Sequence, residues 1–180
     1  MRDFPYNGVA FAVALVLWFA GVPAARAGSE TEVKAAYLLN FAKLVEWPGS
    51  AFSSGKSPLI IGVVGRDGAS DELARTFSGA SANGRPIEVR RVSSGDGAAL
   101  AACHLLFVTE SERGDAVISA VQGRPVLVVG EAQDFARRGG AIGFVKDGAT
   151  VKFEANPKAG ARNGLGISAK LLWVARSVVN

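Results

Sequence analysis

The chain has one cysteine and one histidine, Cys103 and His104, and they are neighbours. A thiol beside an imidazole is the raw material of nucleophilic catalysis, provided both side chains converge on one point. The run that follows, Leu105-Leu106-Phe107-Val108, reads as a buried strand. Neighbours in a strand point to opposite faces, so Cys103 and His104 are expected to diverge. Cys103 then reads as a small buried hydrophobe rather than a reactive thiol. A structural zinc site needs four ligands, and one histidine with one cysteine is too few. The chain has no Gly-x-Ser-x-Gly elbow, no His-Glu-x-x-His helix and no Walker loop.

A second candidate is Gly62-x-x-Gly65-Arg66-Asp67-Gly68, placed between an expected strand and an expected helix. Gly65 and Gly68 would let backbone amides approach an anion, and Arg66 would add charge. The spacing is not that of a dinucleotide fingerprint, and Asp67, Asp71 and Glu72 would repel a phosphate. A plain strand-to-helix turn is the competing reading. Trp47 and Trp173 are large apolar anchors, suited either to core packing or to a partner surface. Asn40 interrupts an apolar helix face and is expected to be a satisfied buried amide.

These residues need a scaffold, and the hydropathy pattern supplies one. Glu30 to Glu46 reads as a helix capped by Ser29 or Thr31 and ended by Trp47-Pro48. Its expected apolar stripe is Val33, Ala36, Tyr37, Asn40, Phe41, Leu44 and Val45. Continuous apolar runs at Leu59–Val64, Leu105–Val108 and Pro125–Val129 read as strands buried on both faces, and Ile87–Val92 as an alternating one. Helices are expected at Asp71–Phe77, Glu112–Val121 and Asp134–Arg138, with a short one near Gly95–Ala102. Ala141–Lys146 and Ala149–Ala155 flank Asp147-Gly148, a strong hairpin signal. Ser168 should cap a last helix with the face Leu171, Val174, Ala175 and Val178. The sum is an α/β fold: a mainly parallel sheet flanked by helices, with a C-terminal hairpin and a final helix.

Composition bounds the rest. Residues 1–27 read as a secretory signal peptide: an apolar run from Val9 to Ala20, then Ala25-Arg26-Ala27. The run is short for a bilayer span, and an uncleaved anchor is the alternative. Residues 28–180 are expected to form one exported domain with no further membrane segment. The net charge of +4, with scattered basic residues, does not point to nucleic acid. No cofactor, metal or internal disulfide is expected, since a single cysteine cannot form one within the chain.

The run from Val33 to Pro48, VKAAYLLNFAKLVEWP, resembles the opening signature of the YfiR/HmsC family of periplasmic proteins. Ile60–Gly65, Cys103–Val108, Gly139–Phe144, Val151–Asn156 and Ile167–Leu172 sit where that family has its other segments. The resemblance implies a YfiR-like α/β domain over residues 28–180, often dimeric. It implies a periplasmic repressor that binds the sensory domain of an inner-membrane diguanylate cyclase and so lowers cyclic di-GMP and biofilm formation. Some relatives carry cysteine pairs linked to stability and redox response, and Cys103 has no such partner here. The expected partner surface is built from Tyr37, Phe41, Trp47 and Trp173. The alternative function is capture of an anion or nucleotide at Gly65, Arg66 and Gly68.

Overall fold

The computed structural model describes residues 29–179. The expected signal peptide, residues 1–27, lies outside the described residues. No described helix is long and apolar enough to cross a membrane.

The first helix, α1, spans Glu30–Leu44 and opens with a capping box in which Ser29 and Glu32 satisfy each other's backbone amides. It is followed by β1 (Val45–Glu46), a 3-10 turn at Gly49–Ala51, β2 (Leu59–Val64), α2 (Ala69–Thr76), β3 (Ser81–Ala82) and β4 (Arg85–Arg91). Then come α3 (Gly97–Ala101), β5 (Leu105–Val108), α4 (Asp115–Ala120) and β6 (Leu127–Gly130). The chain finishes with β7 (Ile142–Asp147), β8 (Thr150–Ala155), α5 (Pro157–Arg162), β9 (Gly166–Ile167), α6 (Ala169–Val174) and β10 (Ser177–Val178).

Eight strands form one sheet in the order β10-β8-β7-β6-β5-β2-β4-β3. The pairs joining β4, β2, β5, β6 and β7 are parallel, and so is β8 with β10. Only the hairpins β3–β4 and β7–β8 are antiparallel. The expected α/β class, parallel sheet, C-terminal hairpin and final helix are all present. The central strands are buried on both sides, and their side chains divide by parity. Leu105 and Phe107 join the core under α1 and α2, while Leu106 and Val108 join the core under α3 and α4.

Several local expectations change. The buried face of α1 is Ala35, Leu38, Phe41 and Ala42, while Val33, Ala36 and Asn40 are exposed. The helix is apolar on several sides, so its pattern leaves the buried side open and contact with the sheet decides it. Asn40 is thus a surface residue and not a buried amide. Helix α1 ends at Leu44 because Val45 and Glu46 pair as a strand with Ile167 and Gly166. The last helix ends early for the same reason: Ser177 and Val178 pair in parallel with β8. Of its expected face only Leu171 is buried; Val174 and Val178 are exposed.

The helix expected at Asp134–Arg138 is a series of turns instead. Asp134 adopts a φ of 55°, outside the right-handed helical range, and Phe135 drives its ring into the sheet. Helix α4 starts later than expected because Gly114 takes a left-handed φ of 73° just before it. Asn83-Gly84 forms a hairpin turn, with φ of 51° and 78°, joining β3 to β4. That dipeptide is a legible turn signal, and its small hairpin is an addition to the expected fold. In the β7–β8 hairpin, Asp147 pairs with Thr150, so the two turn residues are Gly148 and Ala149.

Phe135 sits in a socket made of glycines. A Cβ at Gly130 or Gly140 would lie 2.3 Å or 2.2 Å from the ring. Gly140→Ala should therefore destabilise the fold through overpacking by about 1–3 kcal/mol, read as a lower urea midpoint at unchanged m-value.

Candidate functional site

The geometry around Cys103 and His104 removes the catalytic pair. Cys103 lies in the core beneath α3, and its thiol donates to the Ala99 carbonyl at 3.3 Å. Burial pushes that thiol up to about 11, so it stays protonated. His104 Nδ1 accepts the Ile60 amide at 3.0 Å. That fixes the proton on Nε2, which donates to the Ala51 carbonyl at 2.9 Å. Both ring nitrogens are thus spent on the backbone. The imidazole pins the 3-10 turn to the end of β5. Burial holds its basicity below the ordinary histidine value; the Ala51 bond opposes this and the nearby Arg85 charge adds to it.

Phe52 stacks on His104, with ring centroids 4.5 Å apart and planes 13° apart. On the same ring, the Arg85 guanidinium carbon lies 3.8 Å from the centroid. The result is a His104–Phe52–Arg85 stack. One nitrogen of Arg85 also donates to the carbonyls of Ser54 and Ser57 at 2.7 and 2.9 Å. Trp47 meets Phe52 edge-on, with centroids 6.2 Å apart, and its indole donates to the Ala42 carbonyl at 3.2 Å. These groups form one wall of an open cleft of about 660 Å³ that reaches the start of α6. Phe52 and Arg85 gave no sequence signal, because they meet His104 and Trp47 only through the fold.

A second cavity, of about 600 Å³, lies between α1, the end of β6 and the C-terminal hairpin. It is charged but internally neutralised. Lys34 pairs with Glu131 and with Glu30, and Lys146 also reaches Glu30 at 3.3 Å. Burial opposes the charge on Lys34, but hydrogen bonds to Glu131 and Glu30 outweigh it and hold the ammonium above its usual value. Arg137 lies 3.7 Å from Asp134 and 3.9 Å from Glu154. Among the described residues, no three His, Cys, Asp or Glu side chains come together in a way that could hold a metal ion.

The other sequence candidates are scattered. Phe41 is fully buried, packed with Phe153 and Phe144, and so cannot itself touch a partner. Its expected place on a surface is corrected by that burial. Tyr37 is half-buried, and its hydroxyl donates to the Val151 carbonyl. Trp173 is 86% exposed on α6, beside Val174 at 56%. Gly65, Arg66 and Gly68 sit at the C-terminal end of β2, next to β5. The strand order reverses there, which is where open α/β sheets commonly hold ligands. The Thr109 side chain fills the space over Gly65, since a Cβ there would lie 2.0 Å from its hydroxyl oxygen. Arg66 keeps an exposed side chain, while its backbone amide donates to Ser111 Oγ at 3.3 Å.

The sequence profile described as YfiR/HmsC-like (DUF4154) matches residues 31–176, from the second residue of α1 to just before β10. The chain belongs to this family. The YfiR/HmsC-like family is one of periplasmic regulatory proteins. No curated protein sequence matches the chain significantly. Among solved structures, a conserved domain protein from Vibrio cholerae O1 biovar eltor is similar, with a TM-score of 0.56 and 14% identity. The match covers 83% of this chain and 60% of that one. An ABC domain from Streptococcus pneumonia, solved in complex with L-Trp, is similar with a TM-score of 0.53 and 15% identity. It covers 78% of this chain and 60% of that one. At these identities the likeness is one of fold, and the chain spans about 60% of the length of both structures.

The His104 geometry has a stability consequence. The folded state resists protonating the ring, whereas the unfolded chain takes up a proton near the ordinary value of 6.5. This contribution is therefore complete above that pH and is lost as pH falls through and below it. Urea midpoints should be level above about pH 7.5 and decline toward pH 5, a decline centred near the ordinary histidine range. His104→Ala should cost about 2–4 kcal/mol, because it orphans the Ile60 amide and the Ala51 carbonyl, and it should remove this part of the pH dependence.

Proposed function

We propose that the protein is a periplasmic negative regulator. It binds the periplasmic sensory domain of an inner-membrane diguanylate cyclase and lowers cyclic di-GMP signalling, and with it biofilm formation. It is not an enzyme. Family membership over nearly the whole described domain carries this reading. Exposed apolar side chains support it: Trp173 and Val174 on α6, and Val178 on β10, an edge strand of the large sheet. Tryptophan is enriched among residues that dominate binding energy, and an edge strand can pair with an incoming one.

The mechanism is a population shift. A regulator that binds the sensor's inactive conformation more tightly than its active one stabilises the inactive state by the difference in affinity. Trp173 is the anchor of the proposed surface, and Trp47 in the adjoining cleft is its second aromatic. Tyr37 and Phe41 act from beneath, by fixing α1 against the sheet. A homodimer through the same patch is the competing use of it.

A second reading keeps the small-ligand alternative. The turn at Gly65, Arg66 and Gly68 lies at the point where the strand order reverses, and this position favours it. On that reading, Arg66→Ala abolishes any heat seen on titrating inorganic phosphate or a nucleotide. Absence of heat in the wild-type protein removes the reading.

Loss of the gene should raise cellular cyclic di-GMP. Wild type should reverse the rise, and a form lacking residues 1–27 should not. Trp173→Ala should leave the thermal melt unchanged, because the side chain is exposed. It should weaken capture of the sensory domain about tenfold or more. Sedimentation of the same variant reports on dimerisation separately. Unchanged cyclic di-GMP on deletion would sink the cyclase assignment.

A further inference from the structure

The segment from Pro48 to Pro58 carries no element longer than the 3-10 turn, yet it crosses the sheet beside the starts of β2 and β5. Two side chains from outside the segment tie its backbone down. Arg85 on β4 takes the Ser54 and Ser57 carbonyls. His104, just before β5, takes the Ala51 carbonyl and stacks on Phe52. Both ties meet at the Phe52 ring, which touches the imidazole and the guanidinium alike.

The His104 tie cannot survive protonation. Nδ1 spends its lone pair on the Ile60 amide, and an imidazolium has no lone pair to offer. A proton on Nδ1 would set two N–H donors against each other. The surroundings would not stabilise the new charge either. A cavity of about 440 Å³ reaches the ring, lined in part by Ser53, Ser57 and Arg90, and no carboxylate lines it. From β4 the ring faces Arg85, beyond Phe52, and Arg90, which is already paired with Glu88. The end of α3 contributes the Cys103 thiol, which stays protonated. The approaches to β2 and β6 contribute uncharged groups, Pro58, Ile60 and Pro125, and Trp47 meets the ring edge-on at 6.2 Å. Glu46 lies against Gly166 instead: a Cβ there would be 2.7 Å from its Oε2. A charged ring is therefore relieved only by letting water in.

We propose that His104 is a proton-operated latch: protonation of Nδ1 releases the Pro48–Pro58 segment, lifts Phe52 off the ring and frees Arg85 from its stack, while the sheet stays folded. The segment opens before the domain unfolds, because opening breaks a few ties and not a core. Phe52 and Arg85 line the cleft beside Trp47, so acid dismantles that wall. The latch does not rest on the regulator reading, and either can fail without the other.

The test is amide hydrogen exchange of the purified protein at pH 7.5 and 5.5, expressed as protection factors to remove the intrinsic pH dependence of exchange. The Ile60 amide and the segment should lose protection by up to about tenfold, since pH 5.5 lies about one unit below the ordinary histidine value. Amides of β5 and β6 should stay at least about tenfold better protected than the segment at both values. The chain has one histidine, so without a histidine tag every imidazole NMR signal belongs to His104. Those signals should show the Nε2-protonated tautomer at pH 7.5. His104→Gln cannot titrate in this range, and its segment should be equally protected at both values. A change below about twofold in the wild-type protein would overturn the latch. So would a segment as well protected as β5 and β6, an Nδ1-protonated tautomer at pH 7.5, or a pH-dependent loss that persists in folded His104→Gln.

Discussion

The three central strands of the sheet are apolar on both faces, and neither face can be left wet. Burial of side chains such as Leu105, Leu106, Phe107 and Val108 is favourable by about 1.5–3 kcal/mol each when complete. A sheet of this kind needs helices on both sides, and parallel strands need crossovers that supply them. Helices α1 and α2 cover one face, α3 and α4 the other. The same constraint explains why Phe135 is drawn inward at the cost of a helix: its ring plugs the α4 face where Gly130 and Gly140 leave room.

The second organising feature is the tie that His104 makes across the end of the sheet. The segment after Trp47-Pro48 has no long element of its own, and a loop of this kind is held only by specific bonds. A neutral imbidazole with one acceptor and one donor nitrogen meets the Ile60 amide and the Ala51 carbonyl at once. Phe52 is then placed flat against the ring, and Arg85 against Phe52. The residue that first suggested catalysis is thus the foundation of a wall. The charged end of that stack, facing the cleft, is the Arg85 guanidinium.

The two faces of possible interest differ in kind. The cleft carries cationic side chains and is partly walled by aromatic rings. The α6 patch is apolar and open, at the edge of the sheet where β10 is only two residues long. A short edge strand limits unwanted pairing while still leaving backbone groups for a specific partner. Lys170 links the two regions, since it lines the cleft and belongs to α6.

By itself the sequence determined the class of fold. Continuous apolar runs at Leu59–Val64 and Leu105–Val108, the C-terminal hairpin and the Ser168 cap are local patterns, and each appears in the structure. It also pointed to burial of Cys103, since a lone cysteine at the entry to an apolar run packs as a small hydrophobe. Only the tertiary structure decided which side of α1 is inside, because that helix is apolar on several sides and the sheet selects among them. Only it turned Val45–Glu46 and Ser177–Val178 into strands, since their partners, Gly166–Ile167 and Glu154–Ala155, are brought alongside by the fold. The same holds for the cleft. Lys43, Arg85 and Lys170 line it together although they are far apart in the chain, and the potential they share depends on distance in space, which no local pattern encodes.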